Sequence, residues 1–126
     1  MSKAFVTLAS RRGDSADWFR MRFGIVAAKM LKGVSYVSIG KTQDHIILNK
    51  NPKPDERVFP VRTEIKGGYP FISVSSLVKS EGFLDESWFS GKRYAVKRNK
   101  DGTKIYICLK EVVNSIDGEG QKNQRT

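Results

Sequence analysis

Cysteine and histidine occur once each in these 126 residues, as Cys108 and His45. A lone cysteine closes no internal disulfide, and one of each supplies too few ligands for a dedicated metal site, so neither metal nor cofactor is expected. Long apolar runs are missing as well. Nothing approaches the roughly 20 residues that span a bilayer, and Met1-Ser2-Lys3-Ala4 leads straight into an alternating pattern without a signal-peptide core. The expectation is an intracellular chain with no membrane partner. Acidic residues are also scarce: 13 Asp and Glu stand against 23 Lys and Arg, giving a net charge of +10 and a pI of about 9.9. That imbalance suits a polyanionic partner, nucleic acid first of all.

Catalytic signals are equally thin. A Cys–His nucleophile pair would need Cys108 and His45 brought together from two different hairpins, and nothing in the pattern calls for it. The carboxylates fall in loops, at Asp55-Glu56 and around Glu81, Asp85 and Glu86. Gly67-Gly68 is not followed by Lys and Ser or Thr, so no phosphate-cradling loop is present. A non-enzyme is expected.

What the chain does have is alternation of period 2. Phe5–Ser10 reads as a first strand and Trp18–Phe23 as a second, with Phe19, Met21 and Phe23 facing a core and Trp18, Arg20 and Arg22 facing out. An indole beside two guanidinium groups can stack on bases and grip phosphates. Ile25–Lys32 reads as one or two helical turns stopped by Gly33. Strands follow at Val34–Ile39 and His45–Asn49, then a polar, proline-bearing loop over 50–57. The second part reads as an edge segment at Val58–Val61, a turn at Gly67-Gly68-Tyr69-Pro70, a strand at Phe71–Val74 and a short helix near 75–81 with serines as N-cap. A hairpin over 93–109 closes the chain. It puts Lys97 opposite Lys104 on one face, with Arg93 and Tyr106, and Tyr94, Val96, Ile105 and Ile107 on the other. Like charges directly opposed destabilise a strand pair by up to about 1 kcal/mol, which points to a positive face kept for an anion. Arg98 adds a further cation next to the turn.

The expected fold is therefore mainly β, a β-rich α+β domain: a small barrel of hairpins with one or two short helices, a single domain over 1–117 and a frayed tail over 118–126. A faint repeat at a spacing of about 58 residues sets a β-α-β-β unit at about 17–50 against another at about 70–110. Such a unit cannot bury its apolar face alone, whereas two can close a barrel. An OB-like barrel is the alternative arrangement.

Ile72-Ser73-Val74 with the Leu77-Val78 helix, Gly91-Lys92-Arg93-Tyr94-Ala95-Val96 and Asp101-Gly102-Thr103-Lys104-Ile105-Tyr106-Ile107 resembles the swapped-hairpin unit of the AbrB-like and MraZ-like DNA-binding proteins. The resemblance implies paired units, in one chain or in a homodimer, and a small duplex-DNA-binding transcriptional regulator. The OB-like arrangement implies instead a single-stranded DNA-binding protein of phage or plasmid replication or recombination. A third expectation is a basic inhibitor or adaptor docking on an acidic protein. Trp18, Arg20, Arg22, Arg93, Lys97, Arg98, Lys104 and Tyr106 are the candidate contacts to nucleic acid.

Overall fold

The computed structural model describes residues 4–11, 17–63 and 69–113, so the Gly67-Gly68 turn and the 118–126 tail lie outside the described residues. The elements are β1 (Phe5–Arg11), β2 (Trp18–Phe23), α1 (Ile25–Met30), β3 (Tyr36–Lys41), β4 (His45–Asn49), β5 (Phe59–Pro60), β6 (Arg62–Thr63), β7 (Pro70–Ser73), a π-helical turn α2 (Ser76–Ser80), β8 (Arg93–Arg98) and β9 (Lys104–Val112), with a 3-10 turn at Glu86–Trp88 before β8. All strand pairings are antiparallel. They run in the order β5-β3-β4-β9-β8-β1-β2-β7-β6, and β5 also abuts β7, so the sheet curls into a nearly closed barrel. This is larger and differently ordered than a five-stranded OB barrel.

Alternation dictates which side chains fill the interior. Val6, Leu8, Met21, Ile46, Leu48, Ile72, Ile105 and Ile107 have no exposed surface. α1 follows β2 at the end marked by Phe5 and Phe23 and buries Ala27. α2 follows β7 at the opposite end, where Val74 N–H donates to Phe19 O, and buries Leu77 and Val78. Ser75 stands at the N-cap of α2, as expected, but its side chain makes no capping hydrogen bond. The Ser75 hydroxyl accepts from Phe19 N–H at 3.0 Å, because satisfying a strand amide at the sheet margin competes with capping.

The strand order contains a two-fold relation. Exchanging β1 with the broken strand β5–β6, β2 with β7, β3 with β8 and β4 with β9 reproduces the same cyclic order. Registers obey it too: Ser38↔Asn49, Ile39↔Leu48 and Gly40↔Ile47 become Ala95↔Cys108, Val96↔Ile107 and Lys97↔Tyr106. Met21↔Ile72 and Ile47↔Tyr106 lie on the axis and map onto themselves. Inward positions match in kind, as Val6 with Phe59, Val37 with Tyr94 and Ile46 with Ile105, all buried. In each half the two hairpins pair with strands of the other half rather than with each other, so the halves interleave.

The 93–109 hairpin departs from expectation in its register. Lys97 faces Tyr106, and Lys104 faces Asn49 of β4; the two lysines are not opposed. The turn closes one residue later, because Asn99 N–H donates to Lys104 O at 3.1 Å while Lys104 N–H donates to Asn99 Oδ1 at 3.0 Å. Asp101 Oδ1 accepts from Thr103 N–H and Oγ1, and Gly102 takes the positive φ of 76°. The pairing shifts by two, so every side chain keeps its expected face.

Candidate nucleic-acid interface

Five strands bring one row of outward side chains into register: Arg62 on β6, Phe71 on β7, Arg22 on β2, Thr7 on β1 and Arg93 on β8. Neighbouring strands lie about 4.8 Å apart, so the three arginines recur at intervals of roughly 10 Å. One step along, Arg20 lies between Ser73 and Ala9. Its guanidinium carbon sits 4.3 Å from the Trp18 ring centroid and 4.5 Å from that of Phe71. Held by two rings, the guanidinium is pre-organised for a bidentate anion contact. Its Nε is buried without a hydrogen-bond partner.

Arg93 is positioned in a similar way. Its guanidinium lies 4.8 Å from the Phe5 ring centroid. That ring occupies space which a side chain at residue 24 would fill: a Cβ on Gly24 would stand 2.5 Å from the ring. Glycine at the β2–α1 junction therefore admits Phe5, and Phe5 supports Arg93.

The eight expected contacts do not form one surface. Trp18, Arg20, Arg22 and Arg93 come together on the face just described. Lys97, Tyr106 and Lys104 belong to β8 and β9, and β9 is three strands from β2 around the barrel. Arg98 ends β8 and is exposed. Lys97 is moreover paired, its Nζ 3.1 Å from Glu111 Oε1, a hydrogen bond that raises its pKa. The other ion pairs among the described residues are Arg57–Glu81, Lys79–Asp17 and Lys110–Asp44; none takes up Arg20, Arg62, Arg93, Arg98 or Lys104. Sequence reasoning missed Arg62, Phe5 and Phe71. The alternation in Phe71-Ile72-Ser73-Val74 marks Phe71 as outward, but its partnership with Arg20 depends on β2 and β7 being neighbours, which periodicity does not encode.

Contrary to expectation, the single cysteine and single histidine are cross-strand partners: His45 on β4 faces Cys108 on β9. The β4–β9 pairing juxtaposes them. Cys108 is buried at 4 % exposure, and burial pushes its thiol pKa up, with Glu111 adding to the rise. Such burial disfavours the thiolate, the nucleophilic form of the group. The His45 ring packs edge-on to Tyr106 with centroids 5.9 Å apart. Among the described residues no three His, Cys, Asp or Glu side chains come together as metal ligands, and no helix is long and apolar enough to cross a membrane.

No family model matches the chain, and no curated protein or solved structure shows a significant match.

Proposed function

We propose that this chain binds DNA through the outer face of β6, β7, β2, β1 and β8, with duplex DNA the preferred form. The observation that carries the reading is the Arg20 guanidinium clasped between Trp18 and Phe71, in line with the row of Arg62, Arg22 and Arg93. A ring that already stacks on an arginine serves to fix a cation, so the face is better suited to gripping phosphates than to splaying bases. Phosphate contact is the larger part of duplex affinity. On the swapped-hairpin resemblance, the role would be that of a transcriptional regulator with both units supplied by one chain.

Anisotropy titrations of labelled duplex and single-stranded oligonucleotides across a salt series test this. Duplex binding is expected to weaken with salt, at a log–log slope of about −0.9 for each phosphate neutralised. Arg20→Ala, Arg62→Ala and Arg93→Ala should each flatten the slope by roughly that amount. Tighter binding of single strands at matched salt would replace the duplex reading by the single-strand one, which the outward Trp18 and Phe71 rings favour. Absence of binding to either would overturn both.

A further inference from the structure

Five residues, 31–35, join α1 to β3, whereas twelve, 81–92, join α2 to β8. The two connections are counterparts under the two-fold exchange, since Val61 N–H donates to Ser35 O at 2.9 Å just as Leu8 N–H donates to Lys92 O at 3.1 Å. The longer one folds back over its own end of the barrel and buries Leu84 and Phe89. Phe89 covers β1 and β2 there: its carbonyl accepts from Ser10 Oγ at 2.8 Å, and its ring meets Phe19 edge-on with centroids 5.6 Å apart.

The exchange carries Ser10 to Thr63 and Phe19 to Pro70. The shorter connection has no aromatic plug to set over them. Among the described residues an open groove of about 430 Å³ lies there, with Val61, Thr63 and Pro70 on its strand side and Ala28 and Leu31 on its helix side. Lys29 and Lys32, both exposed, stand along it. In the filled half the plugging segment carries Asp85-Glu86 immediately before Ser87-Trp88-Phe89, so acid and aromatic arrive together.

We propose that the groove beside α1 is a docking site for a short acidic segment of a partner protein that inserts an aromatic side chain, taking the place that Phe89 takes in the other half. The molecule itself displays the chemistry of the occupant, and the two lysines supply the complementary charge. The proposal stands apart from DNA binding, which uses the outward arginines.

A titration of the full, 15N-labelled chain with a synthetic peptide of its own residues 82–90 tests it by backbone amide shifts. Saturable shifts are expected at Lys29, Lys32, Val61 and Thr63. They should vanish with a peptide carrying Trp88→Ser and Phe89→Ser. They should also vanish in a Lys29→Glu/Lys32→Glu chain, whose exposed substitutions leave the spectrum otherwise in place, and in an Ala28→Trp chain that fills the groove. Equal response to both peptides, no saturable shift, or shifts confined to Ser10, Phe19 and residues 83–89 would overturn the proposal, the last because the peptide would merely be displacing the chain's own plug.

Discussion

Gly24, which has no side chain, governs where Arg93 stands through the Phe5 ring between them. Because a methyl at residue 24 would press on Phe5, Gly24→Ala should drive the ring outward. The expected loss is roughly 1–3 kcal/mol of stability, typical of overpacking, together with weaker DNA binding as Arg93 loses its support. Thermal melting and anisotropy on the same variant check both parts. Trp18 and Arg20 offer a second test at this scale. If the indole works by holding the guanidinium, Trp18→Ala should weaken DNA binding in wild type and have little further effect in Arg20→Ala. A double-mutant cycle should then give a coupling of about 0.5–2 kcal/mol. Additive losses would return Trp18 to stacking on a base. The outward placing of Trp18, Arg20 and Arg22 was legible from alternation alone, because a strand's side chains follow its pleat. That the Phe71 ring would lie against Arg20, and the Phe5 ring against Arg93, was not, because those contacts join residues far apart in the chain.

Hairpins and turns carry the next set of expectations. The faces of β8 and β9 were readable in the sequence; their register was not, since it rests on a side-chain amide, Asn99, standing in for a strand acceptor. With Lys97 opposite Tyr106 and paired to Glu111, no like-charge strain is present to relieve. Lys97→Ala with Lys104→Ala should therefore change stability by no more than about 0.5 kcal/mol, as for exposed pairs generally. It should weaken DNA binding less than Arg20→Ala with Arg93→Ala does. Turn chemistry also predicts an acid response. Asp101 is held below its ordinary 3.8 chiefly by the Thr103 hydroxyl and amide, and Asp85 by the Ser87 amide and hydroxyl. A lowered folded value means that the unfolded chain takes up protons first as pH falls. Their stabilising effect is complete above the ordinary value and is lost as pH drops through the folded one. Melting temperature should fall below about pH 4, and Asp85→Asn with Asp101→Asn should make that fall shallower; an unchanged acid slope would show that these turns contribute nothing.

The barrel as a whole joins a symmetric scaffold to an asymmetric surface. Positions exchanged by the two-fold share their apolar character inside but not their charge outside: Arg20 answers to Phe71, Arg22 to Ser73, Arg93 to Tyr36 and Lys97 to Gly40. A β-rich barrel of hairpins with short helices could be read from the sequence because burial imposes the same alternation on every strand. A repeat was visible only faintly, since its two copies agree where they are buried and diverge where they are exposed. The order of strands around the barrel was hidden, because hairpins of one half are neighbours of the other half, a property of the assembled whole and of no local stretch.

The loop over 50–58 is the sole covalent passage from one interleaved half to the other, and most of it is exposed. Fragments ending and beginning there, if made separately, would each present unmated strand margins and should be insoluble alone. Mixed, they should reconstitute a folded heterodimer at a rate that depends on concentration. A protease that nicks the loop of the intact barrel should leave it sedimenting as one particle. The chain can thus be treated as a bipartite reporter, whose recombination is switched on by whatever brings its two pieces together.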